Sequence, residues 1–294
     1  MFLNQVKKDG NSKILYAIGI IAICLFFGAN LLASRGMDTA DMIATMAKQM
    51  GQNMTFFFML IPFVFLLIGL LIWSILVHKQ SITQLITSRE NIDFKRIFTA
   101  FFTWAVLMIC MLGIEYVLDP EKFIIQFDIN KFFPLFLIAI ILVPIQTTCE
   151  ELMFRSYMTQ GVFALTGVRI LAWIIPSVLF GLMHISNPEA QAMGVTVMIY
   201  YIGTGLFLGA LTLLDEGSEL AIGFHAANNL IGSLLVTSSD SVFQVPSVFI
   251  YENGLNSTFE IFIPVFVIFP LLLYFFHKRF KFKLSFGKLL SFRG

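Results

Sequence analysis

FFPLFLIAIILVPIQTTCEELMFRSYMTQ, residues 132–160, runs apolar from Phe132 to Ile145 and then sets Glu150, Glu151 and Arg155 in the same unbroken stretch. A bilayer span needs about twenty apolar residues, and this segment exceeds that, so a tilted or protruding membrane helix is expected here. A charged side chain at the centre of a bilayer costs about 2.5–3.5 kcal/mol on insertion scales. Two further apolar segments also carry polar groups, His184 in one and His225 with Asn229 in the other. A chain that bears this cost on three segments is expected to gather the groups into one site.

The rest of the chain agrees with a membrane setting. Of 294 residues, 58% are hydrophobic and only 13% charged, against about 25% charged in soluble domains. Long unbroken apolar runs argue against a transmembrane barrel, whose strands alternate over about ten residues. Eight segments are expected to be spans: Ile14–Ala33, Met54–Val77, Ile97–Leu118, Phe132–Gln160, Val168–Ile185, Met193–Leu214, Leu220–Val236 and Phe259–Phe276. The fold class is therefore an all-α integral membrane bundle of about eight helices. Lys79–Arg96 mixes apolar and basic residues like an amphipathic interfacial segment. The run after Lys7, Lys8 and Lys13 lacks an A-x-A cleavage site and reads as a retained first span.

Three regions follow: 1–131 with the first helices and the interfacial segment, 132–236 as the core, and 237–294 as an outer loop, last helix and basic tail. With an even number of spans, fifteen of the nineteen Lys and Arg residues fall on the side of the termini. Arg35, Lys48, Lys122 and Lys131 fall on the other. The positive-inside rule then puts both termini in the cytoplasm. Cys24, Cys110 and Cys149 lie in apolar segments without zinc-knuckle or disulfide spacing. No basic patch with interleaved aromatics is present, so nucleic acid is not an expected partner; membrane lipids are.

Helical geometry sorts the polar groups. Residues four apart share a face, so Glu151 and Arg155 are placed to pair, acid before base. Glu150 points elsewhere and is left free, the state in which a carboxylate serves as general base or acid. A hairpin apex is expected at Thr166-Gly167. Glu150 lies 17 residues before Gly167 and His184 17 after it, which puts both at one depth in an antiparallel pair. His225 and Asn229 stack on one face about 6 Å apart, with Asn228 turned from it, and Gly223, Ala226, Ala227 and Gly232 permit close helix approach.

Together, Glu150-Glu151-x-x-x-Arg155, Phe180-x-x-x-His184 and His225-x-x-x-Asn229 resemble the marks of the CAAX prenyl endopeptidase and bacteriocin-processing (CPBP, or Abi) intramembrane proteases. They occur in that family's order, over roughly residues 132–236. The resemblance implies a CAAX-protease-like helical bundle and hydrolysis of peptide bonds in membrane-associated or lipidated substrates. Under it, Glu150 is the general base, His184 holds the attacking water, and His225 and Asn229 stabilise the oxyanion. Glu151 and Arg155 brace the helix.

Metal dependence stays open at this point. Glu150, His184 and His225 could hold one Zn2+ with a water as fourth ligand, although no H-E-x-x-H motif is present; otherwise no cofactor is expected. A non-enzymatic immunity or regulatory scaffold with the same fold is the main alternative. A proton-coupled transporter ranks below it, because matching repeats and Gly/Pro-broken half-helices are not visible. The compact loops and basic tail suggest a bacterial plasma membrane.

Overall fold

The computed structural model describes residues 1–5, 10–252, 258–282 and 284–290. Lys7, Lys8, Lys283 and Arg293 of the charge count, and residues 253–257 of the outer loop, lie outside the described residues. The helices are α1 (Gly10–Ala33), α2 (Thr39–Met50), α3 (Gln52–Ile72), α4 (Ile82–Ile86), α5 (Phe94–Leu118), α6 (Ile129–Glu151) and α7 (Thr159–Thr166). After the hairpin come α8 (Arg169–Leu182), α9 (Pro188–Met193), α10 (Val195–Asp215), α11 (Glu219–Leu235), α12 (Thr258–Ile263), α13 (Phe269–Phe280) and α14 (Phe286–Leu289). Single π-helical stretches extend α3 (Trp73–Val77), join α6 to α7 (Leu152–Met158) and join α12 to α13 (Pro264–Ile268).

All eight expected segments are helical, and among the described residues six are long and apolar enough to cross a bilayer unaided: Ser12–Ala33, Gln52–Val77, Phe94–Leu118, Ile129–Thr166, Val195–Asp215 and Ile261–Phe280. The fifth and seventh differ. Helix α8 has 14 residues and α11 has 17, about 21 and 26 Å at 1.5 Å per residue, short of the roughly 30 Å hydrocarbon core. Hydropathy runs on through the non-helical turn at His184 and through Val236, which is extended. Both short helices sit among longer ones, and α11 is buried along most of its length.

Local signals explain the element ends. Asp38, Asp93 and Asp128 each accept a backbone N–H at the start of α2, α5 and α6, and Ser81 with Gln84 forms a capping box on α4. Gly167 ends α7 with φ 71°, the left-handed geometry a C-terminal glycine supplies, so the hairpin apex falls where the spacing places it. A three-stranded sheet was not expected. Strand β3 (Phe249–Tyr251) pairs antiparallel with β1 (Phe123–Ile125) and parallel with β2 (Val236–Thr237). At the other end Arg89 reaches Glu219 at 3.0 Å and Asp215 at 2.9 Å, and Arg96 reaches Asp215 at 2.8 Å. These ion pairs tie the start of α5 and the segment before it to the facing ends of α10 and α11.

Packing of α11 on α5 sets the depth of the site. The Trp104 ring stacks on Phe224 with centroids 4.5 Å apart. A Cβ on Gly223 would lie 2.0 Å from the Ile97 carbonyl oxygen and 2.8 Å from its carbon. That obstacle is backbone, so it cannot move aside as a flexible side chain would. Gly223→Ala is expected to cost stability at the upper end of the about 1–3 kcal/mol seen for overpacking, read as a lowered melting temperature in detergent. Gly232→Ala on the same helix meets nothing within 4 Å and should melt at or above the parental temperature.

Candidate active site

Glu150 and Glu151 close the α-helical part of the fourth span, just before its π-helical stretch, and both are buried. Glu151 Oε1 takes two partners: Arg155 Nη1 at 3.0 Å and His225 Nδ1 at 2.7 Å. The Arg155 contact is an ion pair without hydrogen-bond alignment. Its guanidinium lies over the Phe180 ring, 3.8 Å from the centroid, so a carboxylate and an aromatic face together meet the buried charge. The phenylalanine of Phe180-x-x-x-His184 thus has a defined task. Its ring also meets His225 edge-on at 5.7 Å and His184 at 4.8 Å.

Glu150 faces the other way, as its position on the helix requires. Gln146, one turn earlier, donates to Glu150 Oε1 at 2.6 Å. Glu150 Oε2 is buried without a hydrogen bond and lies 3.7 Å from His225 Nε2. Asn229 donates to Gln146 Oε1 at 3.1 Å and accepts from Asn228 at 3.1 Å. Asn228 in turn accepts from Trp104 Nε1 and from the Tyr200 hydroxyl, both at 3.1 Å. One polar network therefore links Arg155, Glu151, His225, Glu150, Gln146, Asn229 and Asn228.

His184 lies just past the end of α8. Its Nδ1 is 2.8 Å from the Phe180 carbonyl oxygen, which can only accept, so Nδ1 carries the proton and Nε2 offers a lone pair. The ring stacks on Tyr201 at 4.4 Å, with the planes 19° apart.

Glu150, His184, His225 and Asn229 all line one cavity of about 710 Å³, whereas Glu151 and Arg155 sit behind it. The structure thus collects on one surface four of the six residues the sequence singled out. It also adds Gln146, Asn228, Glu189, Tyr200 and Tyr201. Asn228, read as turned from the site, lies on its wall, because the cavity spans more than the roughly 100° that separates neighbours on a helix. Zinc fares differently. Among the described residues no three His, Cys, Asp or Glu side chains form a group that could hold a metal ion.

Comparison with known families matches residues 129–231 to the family described as Type II CAAX prenyl endopeptidase Rce1-like. The uncharacterized protein YyaK of Bacillus subtilis (strain 168) is 33% identical over 209 residues, which cover 70% of this chain and 70% of that one. The chain belongs to the CAAX prenyl endopeptidase-like (CPBP) family. No solved structure matches it. Its membership carries a CAAX-type intramembrane protease kind of function, in a multi-pass integral membrane protein. The matched stretch of this CAAX-protease-like chain holds all seven motif residues and the five further cavity residues.

Proposed function

We propose that the chain is an intramembrane endopeptidase that hydrolyses peptide bonds of membrane-associated or lipidated peptides with a glutamate-activated water. The same reading sets it in a bacterial plasma membrane with both termini in the cytoplasm, a side supported by the bias of Lys and Arg among its loops. The observation that carries this reading is the pair of groups offering only acceptors to the cavity. Glu150 Oε2 has no hydrogen bond, and His184 Nε2 is an acceptor because Nδ1–H is held by the Phe180 carbonyl. A water that donates one hydrogen to each would keep its lone pairs for a substrate carbonyl.

In the first step Glu150 takes the water proton as the oxygen attacks the carbonyl carbon. The negative oxygen that forms is held by the second N–H of Asn229, beside the His225 ring that Glu151 holds in orientation on its Nδ1. Glu150 then passes the proton to the amide nitrogen as the C–N bond breaks. Every bond formed and broken is supplied by water, substrate and these side chains.

The reading is tested by comparing membrane peptides of a deletion strain complemented with the parental chain or with Glu150→Gln. A peptide that stays uncut only with the variant supports it; identical peptide sets overturn it. Asn229→Ala tests the oxyanion role separately. Removal of one such donor lowers the rate by about 10²–10³, so slow but measurable cleavage is expected, with KM nearly unchanged.

A further inference from the structure

Glu189 is a second carboxylate in the same cavity, and the chemistry above does not use it. It lies on the short helix α9, is only 7% exposed, and lines the cavity wall. Its Oε1 accepts from the Val242 backbone N–H at 2.7 Å, while Oε2 is buried without a hydrogen-bond partner. The Tyr201 hydroxyl interacts with the carboxylate, and the Tyr201 ring is the one stacked on His184 at 4.4 Å. Glu189 therefore stands one tyrosine away from the imidazole assigned to the water.

The rest of the wall narrows the choice of ligand. Met59, Met108, Met111, Met183 and Met193 line the cavity and give it an adaptable apolar surface. Its carboxylates are Glu115, Glu150 and Glu189, and among the described residues no Lys or Arg lines it. Glu115 already has Lys122 at 3.3 Å and Tyr251 at 2.7 Å. A negatively charged group, such as a free C-terminal carboxylate, finds no cation on this wall, whereas a positive group finds the buried Glu189 Oε2.

We propose that Glu189 is the specificity residue of this site. It binds the cationic side chain of a lysine or arginine that flanks the cut bond inside an otherwise apolar peptide segment. This rests on the hydrolase reading for the bond cut, but the binding claim stands separately. Burial pushes the Glu189 carboxyl up to about 7, and its other titratable neighbours are Tyr201 on α10 and Asp240 in the loop after β2. Selection for the cation should fade as pH falls through that value, because protonation removes the charge the ligand needs.

The test uses the full-length protein in nanodiscs and C-terminally amidated, fluorescent apolar peptides with Lys, norleucine or Glu at one scanned position. Binding is measured to E150Q and to E150Q/E189Q. The second change keeps an amide oxygen for the Val242 N–H and removes only the charge. At one position Lys is expected to bind E150Q about tenfold or more tightly than norleucine, with Glu weaker than both, and E150Q/E189Q should bring the Lys ratio close to one. Equal Lys preference in the two proteins, or none in either, overturns the proposal. Matching melting temperatures for the two proteins show that the charge, and not the fold, was changed. Cleavage by the parental chain separates the two claims. Selective binding with no peptide cut removes the hydrolase reading and leaves this one standing; cutting without charge preference does the reverse.

Discussion

Glu150→Gln should reduce proteolysis by about 10³–10⁴, near the upper end of what a positioned general base supplies, while the protein stays folded in the membrane. The two side chains have nearly the same shape. The amide oxygen of the variant can still accept the hydrogen bond that Gln146 Nε2 now gives to Glu150 Oε1 at 2.6 Å. What is lost is the oxygen that can take a proton, and the buried Oε2 is the one nearest His225 at the cavity. Glu150→Ala also leaves a void and a Gln146 amide without its partner, so a loss of stability would blur its loss of rate. The amide variant separates the two, with melting temperature as the control. Normal cleavage by Glu150→Gln would move the base elsewhere, and an unchanged cellular role would favour the scaffold alternative.

Much of this site was legible because helices turn residue spacing into direction. The separation of Glu151 and Arg155 by four predicted their pairing, and the observed 3.0 Å contact carries it even though the helix changes to π-helical form between them. The glycine at 167 marked the hairpin apex because a left-handed residue is needed there. Gln146 could have been found by the same rule, since it lies one turn before Glu150. Glu189 could not: it follows Pro188 at the start of a short helix, a common place for a surface acid, and its burial depends on the loop that brings Val242 to it. Tyr200 and Tyr201 read as ordinary aromatics of an apolar span. The small sheet joins residues 123–125 to 249–251, three at a time, too short for alternation to register. Helix length was hidden for a related reason: hydropathy follows composition, while the ends of α8 and α11 are set by a turn and a strand.

Arg155→Ala should lower abundance more than any other single change at the site. Arg155 is 1% exposed and its partner Glu151 is fully buried. Removing one member of such a pair leaves an uncompensated charge and costs about 3–5 kcal/mol. The loss is compounded because the guanidinium also covers the Phe180 face, so alanine leaves a gap among Glu151, Phe180 and the π-helical turn. The expected result is a strongly reduced melting temperature in detergent and a weak band in membranes at normal expression. Replacing both charges distinguishes stability from orientation. In Glu151→Gln with Arg155→Met, no buried charge is left unpaired and the volume is kept, so abundance should recover in large part. Cleavage should not recover with it, because His225 Nδ1 then lacks the carboxylate that now holds it at 2.7 Å. Should Arg155→Ala accumulate and melt like the parental chain, the pair would have to be solvated and Glu151 could not be fixing the His225 ring through a dry ion pair.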